Sequence, residues 1–310
     1  MSPYLERTWV ALLEHGGWRR VGRSPLGRRV TASRTFRLAD DTRRFAETSV
    51  RRAMNPDAFR TVRTFCLFLG TVKSGGSLIG ALLDAHPRAV LADEADVLRY
   101  LTSGFEREQI FHILAKNARR EASKGRVTAR RLEPYALAVP GQWQGRAIRP
   151  TVIGDSRAGP TTRRLGDRPE LLTHLRDRLG DIEDRYIHVV RNPSDPISAM
   201  VRRGRRTLPN AIDDYASQSR RMATLRGRLG ERLLCVRYED LIATPADQLD
   251  RLCDFLGLAA EPDHLSACAD IVDPSRRPER HTVPWTRDTV AMVDRLIHQF
   301  DFLDGYAYTT

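Results

Sequence analysis

Residues 64–87, TFCLFLG-TVKSGGS-LIGALLDAHP, constrain the fold of this chain more than any other stretch. Positions 64–69 form an apolar run without charge, bounded by Gly70, and read as a buried strand. Leu78, Ile79, Leu82 and Leu83 recur at helical spacing, and His86-Pro87 ends that helix. Between strand and helix lies Gly70-Thr71-Val72-Lys73-Ser74-Gly75-Gly76-Ser77. Such a connection is an anion cradle. Glycines let the backbone approach the anion, free N–H groups point at it, and the helix dipole favours negative charge there. Lys73 adds a full charge, and Ser74 and Ser77 add hydroxyl donors. The competing reading is an ordinary strand-to-helix turn with glycines for tight packing.

The rest of the chain repeats the pattern. Apolar runs at 89–92, 151–154, 186–190 and 233–236 read as strands, each followed by helical periodicity. Alternating strands and helices predict an α/β fold, a mostly parallel sheet covered by helices on both faces. Ligands bind such sheets at the carboxyl ends of the strands. Lys73, Glu94, Asp155, Arg191 and Tyr238 all follow predicted strands, which points to a single site. Asp93-Glu94-Ala95-Asp96 reads as the first turn of a helix carrying Val97, Leu98, Tyr100 and Leu101. Acidic groups there also serve as plain dipole partners.

Composition narrows the class. A chain of 310 residues with 41% hydrophobic content suits a soluble domain with an ample core. No run approaches the roughly 20 apolar residues of a membrane span, and the N-terminus lacks the apolar region of a secretion signal. The four cysteines are scattered without a C-x-x-C pair. That fits a reducing cytoplasm and indicates neither a metal site nor a disulfide framework. The net charge is +12, and of 51 basic residues only Lys73, Lys116 and Lys124 are lysines. The arginines are spread along the chain without a nucleic-acid module, so a genomic bias toward Arg codons together with a polyanionic small-molecule donor accounts for the charge at least as well as nucleic acid does.

The loop is not the G-x-x-x-x-G-K-[ST] loop of nucleotide kinases, because Lys73 precedes Gly75 and Gly76 stands where that lysine belongs. Lys73-Ser74-Gly75-Gly76-Ser77 with His86-Pro87 instead resembles the 5′-phosphosulfate loop of the sulfotransferases that use 3′-phosphoadenosine-5′-phosphosulfate. Gly76 replaces that family's usual Thr. Arg191-Asn192-Pro193-x-Asp195 resembles its 3′-phosphate motif, whose Ser lies eight residues after the Arg. Here Ala199 holds that position and the hydroxyl is Ser198. Arg237-Tyr238-Glu239-Asp240-Leu241 and Phe255-Leu256-Gly257-Leu258 also match, and Arg276, Arg277, Arg280 and Trp285 resemble the loop that folds over the donor.

The resemblance covers about 64–300 and implies a fold related to the nucleotide-kinase P-loop proteins, with no metal requirement. It implies a sulfotransferase domain at 61–310 behind a basic N-terminal extension at 1–60. It implies donor contacts from Lys73, Ser74, Gly75, Gly76, Ser77, Leu78, Arg191, Ser198, Tyr238 and Arg277. Lys73 would assist the leaving group and Glu94 would be the general base, with Asp93 and His188 as weaker candidates. Glu94 and Arg157 would face a small-molecule, lipid or glycan acceptor, and the chain is compatible with a homodimer. Two other classes stay open: a nucleotide-dependent phosphotransferase and a non-catalytic polyanion-binding protein.

Overall fold

The structure, a computed structural model, describes residues 34–127, 136–203, 206–274 and 278–309. The chain divides into two compact units, Met1–Ala53 and Met54–Thr310. In the first, the described residues form helix α1, Arg34–Met54. Its exposed surface is laced by pairs one turn apart, Arg44 with Asp40 at 2.9 Å and Arg51 with Glu47 at 3.2 Å.

The second unit is built on five strands: β1 (Thr64–Gly70), β2 (Ala89–Ala92), β3 (Val152–Asp155), β4 (Glu183–Val190) and β5 (Leu233–Arg237). They form one sheet in the order β2-β3-β1-β4-β5, and every neighbouring pair is parallel. The five runs expected from the sequence are these five strands. A parallel sheet needs cover on both faces, and β1 shows how that is met. Phe65, Leu67 and Leu69 pack into the core on one side, with α4 (Arg107–Ala122) and α8 (Leu208–Leu229). Cys66 and Phe68 point the other way, against α2 (Gly76–Asp84) and α10 (Pro245–Leu256). Helix α2 puts Leu78, Ile79, Leu82 and Leu83 on its buried face, as their spacing requires.

The remaining helices are α3 (Val97–Thr102), α5 (Ala158–Asp167), α6 (Leu171–Leu179), α7 (Ser194–Arg202), α9 (Tyr238–Ala243), α11 (Pro262–Ala269) and α12 (Arg287–Ile297). Helix α5 follows β3 after Ser156 and Arg157 and carries Gly159-Pro160 in its first turn. Pro160 falls in the first helical turn, where its missing N–H costs no intrahelical bond. Because all strands are parallel, their carboxyl ends share one edge of the sheet, and the strand order switches sides of β1 between β3 and β4.

Candidate active site

The loop after β1 supplies the floor of a cleft at that edge. Lys73 (φ +75°) and Gly75 (φ +108°) both take left-handed backbone, which curls the chain into the start of α2. Gly75 is required twice over, since a Cβ there would also lie 2.4 Å from Cδ2 of Tyr238. Gly76 is not so confined: its Cβ would meet nothing closer than the Ser156 carbonyl at 3.5 Å. Leu78 and Ile79 both donate their N–H to the Gly75 carbonyl, at 2.9 and 3.2 Å. No described residue accepts from the N–H of Gly76 or Ser77, so these two remain for an anion. The Lys73 ammonium likewise has no hydrogen-bond or ion-pair partner among the described residues. Ser74 is different. Its hydroxyl is buried 2.6 Å from that of Thr71, where it ties the loop closed instead of lining the cleft.

Glu94 enters from the end of β2. The segment Asp93-Glu94-Ala95-Asp96 is not a helical turn, contrary to its sequence pattern. Asp96 caps α3 from outside, and both Glu94 (φ +59°) and Asp96 (φ +64°) are left-handed. The reason is Asp155. Its buried carboxylate accepts the N–H groups of Ala95, Asp96 and Val97 at 3.0, 2.9 and 3.4 Å and pulls the segment out of helical geometry. Burial pushes Asp155 up to about 7 despite the bonds from Ala95 and Val97, which lower it. Glu94 lines the cleft with its side chain 59% exposed. Partial desolvation raises its pKa above the ordinary carboxylate value. The Arg157 guanidinium opposes that, while Asp93 and Asp96 reinforce it. Arg157 Nε stands 3.6 Å from Glu94, and Nη1 is 2.8 Å from Asp96. It therefore sits behind Glu94 and is not among the cleft-lining residues.

Asp93 turns into the floor. The hydroxyls of Ser77 and Ser156 both donate to its Oδ1, at 3.3 and 3.2 Å. Ser156 lines the cleft next to Gly76. Its role was not read from the sequence, although its place one residue beyond β3 is the signal that would have marked it.

The far wall comes from β4 and β5. Arg191 is 9% exposed, paired through Nη2 with Asp195 at 3.1 Å, and stacked 4.7 Å above the Tyr238 ring. Both Arg191 and Tyr238 line the cleft. Asp195 also accepts from Arg280, by its N–H at 2.9 Å and its guanidinium at 3.4 Å. Arg280 is thus joined to Arg191 through Asp195; the preferred Arg277, and Arg276, lie outside the described residues. Ser198 is fully buried and accepts from Trp285 Nε1 at 3.0 Å, so it anchors the C-terminal segment on α7 and does not line the cleft. Glu239 is structural, accepting from Asn192 N–H and the Tyr306 hydroxyl. His188 is a core residue, and burial holds its pKa down at about 3. Arg203 and Glu279 complete the rim, the latter tied to Arg202 at 2.7 Å.

Of the residues singled out in the sequence, Lys73, Gly75, Gly76, Ser77, Leu78, Glu94, Arg191 and Tyr238 meet in this cleft. Among the described residues no group of His, Cys, Asp and Glu could hold a metal ion, and no helix is long and apolar enough to cross a membrane.

No curated protein matches the chain. Among solved structures, the sulfotransferase domain of the olefin synthase from Synechococcus PCC 7002 is 19% identical, with 77% of this chain and 96% of that one covered and a TM-score of 0.45. Sulfotransferase STF9 from Mycobacterium avium is 12% identical over 90% and 86%, with a TM-score of 0.46. The mouse sulfotransferase SULT7A1 complexed with PAP is 13% identical over 83% and 90%, with a TM-score of 0.40. A sequence model of the sulfotransferase family matches residues 67–262. That match runs from within β1 to the first residue of α11, well over half of the chain, and the protein belongs to the sulfotransferase family.

Proposed function

We propose that the protein transfers a sulfonate group from 3′-phosphoadenosine-5′-phosphosulfate to a hydroxyl of a small-molecule, lipid or sugar acceptor. The observation that carries this reading is the meeting, in one cleft, of a lysine with no partner among the described residues at a helix N-terminus, a carboxylate, and an arginine stacked on a tyrosine. Lys73 and the N–H groups of Gly76 and Ser77 suit the sulfonate-bearing 5′ end of the donor. Arg191 suits the 3′-phosphate and Tyr238 the adenine. In the reaction the acceptor oxygen attacks sulfur in line. A new S–O bond forms, the bond from sulfur to the phosphate oxygen breaks, and the adenosine 3′,5′-bisphosphate departs with that electron pair. Glu94 takes the acceptor's proton. Lys73 and the loop dipoles face the oxygen on which charge grows. The four cysteines are free thiols, which suits a cytoplasmic enzyme.

Ligand-dependent stabilisation tests the donor. A ligand at a hundredfold excess over its Kd stabilises the native state by about 2.7 kcal/mol. Adenosine 3′,5′-bisphosphate is therefore expected to raise the Tm by several degrees, whereas ATP with magnesium and duplex DNA leave it in place. A charge-assisted phosphate contact is worth roughly 1.5–3 kcal/mol. Arg191→Ala should accordingly lose most of the preference for the bisphosphate over adenosine 5′-monophosphate. Stabilisation by ATP with magnesium alone would favour a phosphotransferase, and equal loss of both adenylates in Arg191→Ala would make that arginine structural.

A further inference from the structure

Asp155 is the last residue of β3, is 1% exposed, and does not line the cleft. Yet its carboxylate takes three consecutive backbone N–H groups from the segment that carries Glu94. That segment has two left-handed residues in three positions, Glu94 and Asp96, and neither is glycine. L-residues hold such backbone only where the surroundings over-determine it. Asn at 155 could not serve: it has one acceptor oxygen, and its NH2 would confront the donors of the loop. The same strand end also orients the side chains. Arg157, two residues on, bridges Asp96 and Glu94, and Arg164 of α5 holds the other oxygen of Asp96 at 2.8 Å.

We propose that Asp155 is a positioning residue for the transfer reaction: by templating the left-handed backbone of residues 94–96, it sets Glu94 at the cleft. This rests on Glu94 being the base of the proposed reaction. The arrangement resolves why a carboxyl group that does not line the cleft sits buried at the carboxyl end of β3. A carboxylate anchored by three N–H bonds fixes the loop backbone, and the loop fixes the distance from Glu94 to Arg157 and hence its basicity.

The test compares the wild type with Asp155→Asn by amide hydrogen exchange, by carbon NMR titration of the Glu94 carboxyl, and by the Kd for adenosine 3′,5′-bisphosphate. In the wild type the amides of Ala95, Asp96 and Val97 should be protected although two of them precede the helix. In the variant their exchange should accelerate by about tenfold or more. The Glu94 titration should move, and the Kd should stay within about twofold because the phosphate loop is untouched. An unmoved Glu94 titration with wild-type protection at 95–97 overturns the proposal. Should the variant fail to fold, rapid exchange of these three amides in the wild type overturns it as well. The reading of Glu94 as base fails separately, if Glu94→Gln turns over normally.

Discussion

Glu94→Gln should lower turnover by about 10²–10⁴-fold, the usual contribution of general base catalysis, while leaving the fold and the affinity for adenosine 3′,5′-bisphosphate intact. Glu94 sits on a loop outside the sheet core and more than half its side chain is exposed, so an isosteric amide removes the proton acceptor without opening a cavity. The fold loses only a 3.6 Å contact with Arg157, which keeps Asp96 as its partner. The rate profile gives a second handle. Glu94 must be ionised to accept a proton, so the rate falls as pH drops through its pKa. That value lies above the ordinary carboxylate range because desolvation outweighs Arg157. The acid limb should therefore sit higher than for a free glutamate and disappear in the variant. Asp93→Asn should do much less, because its carboxylate is occupied by the hydroxyls of Ser77 and Ser156. Near-normal turnover in Glu94→Gln would remove Glu94 from the mechanism and leave Asp93 as the next acid to test, since His188 is sealed in the core.

Lys73→Ala should lower turnover by about 10²–10³-fold, the scale of losing one electrostatic stabiliser of a developing oxyanion. Donor affinity should fall far less. Its ammonium is held by no described carboxylate, so no internal ion pair must break for it to meet the leaving oxygen. An interaction that strengthens as charge grows acts on the transition state more than on the ground state. The left-handed backbone at Lys73 is equally unfavourable for Ala, so the comparison isolates the charge. Kinetics and binding measured on the same preparation decide the point: parallel losses in Kd and kcat would make Lys73 an ordinary donor contact.

The strands were legible because burial on both faces forces unbroken apolar runs, as in β1, and β4 needed only its polar start at 183–185 added. The site was legible because parallel strands deliver their following residues to one edge; Lys73, Glu94, Arg191 and Tyr238 each meet there for that reason. What failed to show were contacts set by distant residues. The 93–96 stretch carries a helix-start pattern, and only a carboxylate about sixty positions away, on β3, unwinds it. Ser198 has a plausible motif position, but Trp285 covers its hydroxyl from the C-terminal segment. Arg280 reaches Asp195 across 85 positions of sequence, a pairing that its arginine-rich surroundings do not reveal. Local pattern carries no information on such pairings, because side-chain hydrogen bonds over long separations depend on how the elements pack.

The claim that this cleft moves a sulfonate group is tested most directly by incubating the protein with radiolabelled 3′-phosphoadenosine-5′-phosphosulfate and a panel of phenolic, lipid and sugar hydroxyls, with a metal chelator present. The account predicts label in a sulfated acceptor, one adenosine 3′,5′-bisphosphate released per product, and both lost together in Glu94→Gln. Label that stays on the donor across the panel, with phosphoryl transfer from ATP appearing once magnesium is restored, would contradict it.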